Sequence, residues 1–179
     1  MSEEIEVPTE HLQEGLNEHA HHSGGNRFVM FIAMTAAILS VLAAVAALFA
    51  GHHANEATLS QIKASNAWSY YQAKGVKTYV LSMKISVLKA LDKPVDAKDE
   101  EKIAALNQEQ LDIKKEAENL EQEANEHLQR HVPLSAAVTF FQIGIALCAI
   151  TVLTKRRILF YGSLLVGVLG VVFLVKGLV

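Results

Sequence analysis

Apolar and charged positions are segregated along this chain rather than interleaved. Three windows, 28–50, 134–154 and 158–175, hold 23, 21 and 18 residues without one Asp, Glu, Lys or Arg. A helix rising 1.5 Å per residue needs about 20 apolar residues to cross roughly 30 Å of hydrocarbon. The pattern therefore predicts three membrane helices.

Between the first two windows the pattern changes. Ile103, Leu106, Gln110, Ile113, Ala117, Leu120, Ala124 and His127 follow uninterrupted 3,4 spacing, the signature of paired helices, with Gln110 and His127 as polar seam positions. An earlier stripe, Val76, Val80, Met83, Val87 and Leu91, is expected to answer it, with Leu81, Ile85 and Leu88 beside it. Leu91-Asp92-Lys93-Pro94 breaks the helix, and Asp96 is placed to cap the next one, with Asp99, Glu100 and Glu101 near its positive end. So short a turn makes the two helices antiparallel neighbours, giving an arm of roughly 50–60 Å if straight. Pro133 either opens the second span or kinks a continuous helix.

The predicted fold is an all-α membrane protein with three transmembrane helices and a long antiparallel, coiled-coil-like hairpin between spans one and two. Its parts are a polar His- and Glu-rich tail (1–27), span one (28–50), the hairpin (51–131, turn 92–96), span two (132–154), a basic turn (155–157), span three (158–176) and a short end (177–179).

Composition sharpens this picture. The 179 residues are 51% hydrophobic and 20% charged with a net charge of −3, but the charges all lie outside the three windows. The segment 51–131 alone holds 11 basic and 13 acidic residues. One cysteine, Cys148, excludes an intramolecular disulfide and any CxxC site. The acidic balance leaves no basic face for nucleic acid. No phosphate-cradling Gly loop, GxSxG elbow or HExxH helix is present, so no enzymatic activity and no cofactor are expected. The first window is expected to be an uncleaved anchor, because 27 residues with six Glu precede it and it exceeds the length of a signal core.

Ionisable groups inside a bilayer mark proton relays and ion paths, and the windows hold none, histidine included. That argues against coupled transport. What the spans do carry is small residues. Ala36, Ser40 and Ala44 form one row and Ala43, Ala47 and Gly51 another, while Ser163, Gly167 and Gly170 give span three its own small face. Small residues let helix backbones approach closely in lipid. Gln142 is the costliest polar residue in the spans and is expected to hydrogen-bond between helices. Thr139 or Gln142 would line a constriction if the chain assembled into a pore.

Two further clusters stand out. His19, His21 and His22 with Glu18, or His52 and His53 with Glu56, offer imidazole and carboxylate to a transition metal, although neither defines a tetrahedral set. A solvated tail and an interfacial pair are the plainer readings. Asn66–Lys77, reading NAWSYYQAKGVK, places Trp68, Tyr70 and Tyr71 within four positions. Trp68 and Tyr71 share a helical face and are expected to pack on the second helix or on a neighbouring subunit.

Lys155, Arg156 and Arg157 form the strongest basic cluster beside a span, and short basic loops stay in the cytoplasm. The N-terminus is then cytoplasmic and the segment 51–131 extracytoplasmic.

The stretch GHHANEATLSQIKASNAWSYYQAKGVK, residues 51–77, resembles the core of the bacterial "domain of unknown function 4337" family. That family combines an Ala-rich first span running into GHHANEA, a Trp-x-x-Tyr-Gln-Ala-Lys block, a charged helical middle and two closing spans. The resemblance implies an integral protein of the bacterial inner membrane and transfers no catalytic or ligand residue. The expected role is a non-enzymatic membrane scaffold that self-associates through Ala36, Ser40, Ala44, Ala47, Trp68, Tyr71, Gln110, His127, Gln142 and Gly167. Its expected partners are the lipid bilayer, copies of itself and another membrane or envelope protein. An oligomeric channel and a metal sensor using the His-rich tail are the alternatives.

Overall fold

The structure, a computed structural model, describes residues 27–179. These form three α-helices, α1 (Arg27–Ala90), α2 (Ala97–Thr154) and α3 (Arg157–Leu178), with no strand among the described residues. Each helix contains a stretch long and apolar enough to cross a membrane. α2 stays helical through Pro133. Two compact units emerge from the chain: Glu56–Glu126 is one, and the described part of Met1–Asn55 together with His127–Val179 is the other. α1 and α2 contribute to both, and α3 to the second alone.

The three-helix unit is built on small residues. Along α1 the buried positions are Ile32, Ala36, Leu39, Ala43, Ala46 and Ala50, in strict 4,3 alternation. α2 answers with Leu134, Val138, Phe141, Ile145 and Cys148. α3 buries Ser163, Gly167, Gly170, Leu174 and Gly177. The expected small-residue rows are thus rotated. Ala36 is buried, but Ala44 faces outward and Ala47 is only half-buried. The 3,4 spacing that packs helices lengthwise selects Ala43, Ala46 and Ala50 over the straight four-residue rows read from sequence.

Glycines set how near the helices come. A Cβ at Gly177 would stand 2.5 Å from Leu134 Cγ, and one at Gly167 2.9 Å from Leu39 Cδ2. Real Cβ atoms do not approach so closely, so these contacts require the missing side chain. The buried thiol of Cys148 donates to Ser163 Oγ, which donates in turn to the Phe160 carbonyl at 2.8 Å. No polar group of that chain is left unmet.

The hairpin unit is closed by a turn whose every bond is local. Asp92 adopts φ 51°, the left-handed conformation that ends a helix. Its N–H donates to the Lys89 carbonyl at 3.2 Å, and that of Lys93 to the Leu88 carbonyl at 2.9 Å, the paired bonds of a Schellman cap. Pro94 follows, where the helix has already stopped. Asp96 Oδ1 then accepts from the Lys98 N–H at 3.0 Å, so the N-cap expected of Asp96 forms.

From the turn, ion pairs join the two helices: Lys89 to Glu100, Lys84 to Asp99 and Lys74 to Glu109. From Lys84–Asp99 to Lys74–Glu109 the contacts step back along α1 as they step forward along α2, which is the antiparallel arrangement. The α1 stretch of this unit carries five Lys and one Glu, and the α2 stretch ten acidic residues and four Lys. Solvent screens surface pairs of this kind, so the segregation chooses the partner more than it holds it.

Burial between these helices corrects the expected pairing on one side. The α2 seam from Ile103 to Ala124 is buried or half-buried at every position. On α1, however, Val76, Val80, Met83, Val87 and Leu91 face outward, each at least half exposed. The inward positions are Ser60, Ala64, Ala67, Tyr71, Lys74, Thr78, Leu81, Ile85 and Leu88. The reason is helical phase. A 3,4 pattern carried by Ser60 and Ala64 reaches Leu81, Ile85 and Leu88, while the valine stripe runs two residues out of step, about 200° around the helix.

Candidate functional site

Among the described residues of the three-helix unit, histidines gather at one place. His53 on α1 and His127 on α2 bring their Nδ1 atoms to 2.9 Å, with ring centroids 5.2 Å apart. One of the two nitrogens must carry the shared proton and the other must accept it. His52 lies beside the pair, its ring tilted 55° to that of His53 with centroids 5.4 Å apart. One turn along α2, His131 Nδ1–H donates to the Ala50 carbonyl at 2.9 Å, and the Ser135 hydroxyl reaches its Nε2 at 3.2 Å. A carbonyl can only accept, so the Ala50 contact places a proton on His131 Nδ1, while the Ser135 hydroxyl can either donate to Nε2 or accept from it.

Protonating both members of the His53–His127 pair would set two donors against each other. Loss of water around His53 lowers its pKa below the ordinary imidazole value, and the nearby His127, His52, Arg130 and His131 push the same way. In the unfolded chain this imidazole takes its proton near pH 6.5; in the fold it does so only at lower pH. The unfolded state therefore binds more protons in that window. The contribution of His53 is complete above about pH 6.5 and is lost as pH falls. The unfolding midpoint of the detergent-solubilised protein should drop between pH 8 and pH 5, and His53→Gln should flatten that slope. An unchanged slope in the variant would remove His53 from the explanation.

Chemically, the group can exchange a proton between two imidazoles. Among the described residues no group of three or more His, Cys, Asp or Glu is placed to hold a metal ion. The tail residues Glu18, His19, His21 and His22 lie outside the described residues.

The sequence clusters of the hairpin are drawn into one face of that unit. The Trp68 indole N–H donates to Glu121 at 2.8 Å, and its ring meets Tyr71 edge-on at 5.5 Å. Gln110 donates to the Tyr71 carbonyl at 3.2 Å, and its amide lies where a Cβ on Gly75 would have to go. Gly75 is thus the gap that admits a polar seam residue. Lys74 pairs with Glu109 and lies 5.1 Å over the Tyr70 ring. Hydrogen bonds to Glu109 and then to Tyr70 hold this ammonium above its ordinary pKa.

In the apolar stretches, Ser40 Oγ is buried with no hydrogen-bond partner among the described residues. Gln142 is half-buried, and the Thr139 hydroxyl is bonded back to the Ser135 carbonyl at 3.1 Å. Gly167 meets Leu39. Of the expected surface residues, then, Trp68, Tyr71 and Gln110 meet in the hairpin unit, and His127 meets His53 instead. The His53–His127 pair was missed because its members lie 74 residues apart. One signal would have found it: Ala124, His127, His131 and Leu134 continue the 3,4 seam past its expected end.

No curated protein and no solved structure matches this chain. A family model does, over residues 28–179, and its description is a domain of unknown function, DUF4337. That span takes in all three helices almost to their ends, and the chain belongs to the DUF4337 family.

Proposed function

We propose that this protein is a non-enzymatic, multi-pass membrane scaffold that assembles with copies of itself. The observation that carries the reading is the outward stripe of the hairpin unit. Val76, Val80, Met83 and Val87 are 50–62% exposed on a segment outside the apolar stretches, where lipid would not cover them. Scattered surface apolar residues need no explanation, but a regular row of them marks an interaction surface. The polar groups of the same unit support this role, because Trp68, Lys74 and Gln110 are spent on contacts within the chain.

In this reading the bacterial inner membrane holds the three apolar stretches, with Lys155, Arg156 and Arg157 on the cytoplasmic side and the hairpin opposite. Mass measurement of the detergent-extracted protein tests it. A particle of two or more chains is expected, and a strictly monomeric particle across the working concentration range would end it.

A further inference from the structure

The outward stripe is longer than its valines. Leu59, Ile62, Asn66, Ser69, Ala73, Val76, Val80, Met83, Val87 and Ala90 are all exposed and follow 3,4,3,4 spacing without a break. α1 of the hairpin unit thus carries two complete heptad seams, and α2 covers only one. We propose that the second seam docks on the same seam of a second copy, forming a parallel two-stranded coiled coil. This rests on the scaffold reading and names its surface, orientation and register.

The choice of a second copy follows from the residues. In heptad terms Leu59, Asn66, Ala73, Val80 and Val87 occupy a, and Ile62, Ser69, Val76, Met83 and Ala90 occupy d. Only Val80 and Val87 of the a residues are β-branched and no d residue is Leu, so the strand number is read from the polar position: a single Asn at a specifies register and oligomer state by meeting its own copy. Asn66 is the one Asn among these a positions.

Charge selects the direction. The e row reads Lys63, Tyr70, Lys77 and Lys84, whereas the g row, Thr58, Ser65, Gln72, Tyr79 and Ser86, has no charge. Parallel strands pair e with g, so Lys77 meets the partner's Gln72 and Lys84 meets the partner's Tyr79, a favourable cation–aromatic contact. Antiparallel strands would pair e with e and set lysine against lysine. Of the five lysines on this stretch, Lys74, Lys84 and Lys89 are already matched by carboxylates of α2, which reduces repulsion between copies.

Single-cysteine variants in a Cys148→Ala background, oxidised mildly in native membranes, test the seam. Val80→Cys, Met83→Cys and Val87→Cys should each give disulfide-linked dimers at least ten times faster than Lys89→Cys or Leu111→Cys, which lie off it. A ladder running past dimer would overturn the two-stranded form. Linking at Leu111→Cys without linking at Val80→Cys would move the interface to another face. Mass measurement separates the two ideas: an oligomer that fails to link along the seam overturns this interface alone, and a monomer overturns the scaffold reading with it.

Discussion

Gly170→Ala should destabilise the three-helix unit while Gly162→Ala, eight residues earlier on the same helix, should not. A Cβ at Gly170 would stand 2.6 and 2.7 Å from two ring carbons of Phe141, which is fully buried. The ring belongs to the buried cluster that also holds Leu39, Ala43, Val138, Ile145 and Leu174, so moving it disturbs that core. Overpacking of this kind costs about 1–3 kcal/mol. At Gly162 nothing lies within 4 Å, so the new methyl meets open space, and helix propensity favours alanine by about 1 kcal/mol. Thermal unfolding in detergent, followed by loss of the monodisperse peak, should show the first midpoint fall and the second hold or rise. Equal midpoints would mean that α3 does not pack on Phe141.

A matched pair of charges makes the corresponding test of the hairpin. Ile113 and Leu111 are two residues apart on α2, yet the first is 8% exposed and the second 54%. Ile113→Asp places a carboxylate in the seam with no cation assigned to it. The surrounding surface must then either open or keep the group protonated, at a cost of several kcal/mol. Leu111→Asp adds a charge to a face already in water and should change stability by no more than about 0.5 kcal/mol. Limited proteolysis is the readout. The hairpin of Ile113→Asp should be cut at least tenfold faster than that of Leu111→Asp, and equal rates would refute the assigned seam.

How much of this was legible in the sequence depended on whether the signal was local. The apolar stretches are visible because missing charge needs no partner to interpret. The turn is visible because Asp92, Pro94 and Asp96 act on their immediate neighbours. The α2 seam is visible because its surroundings are crowded with charge. The inner face of α1 was misjudged because Ala64, Ala67, Tyr71, Lys74 and Thr78 are less apolar than the valines opposite. Choosing between the two faces requires knowing the partner and its register, which no window along α1 contains. The His53–His127 contact fails the same test, being readable only after two distant seams are laid against each other.

The turn at Asp92 also sets a sequence of events. Contacts in the hairpin unit enclose progressively longer loops: Lys89–Glu100 is separated by 11 residues, Lys84–Asp99 by 15, Lys74–Glu109 by 35 and Trp68–Glu121 by 53. Closing the longest loop first would cost about 1 kcal/mol more chain entropy than closing the shortest. Once the Schellman cap and the Asp96 cap are made, each pair leaves only a few residues to be gathered by the next. The cheapest route therefore begins at the tip and travels toward Trp68, so that the aromatic block joins last.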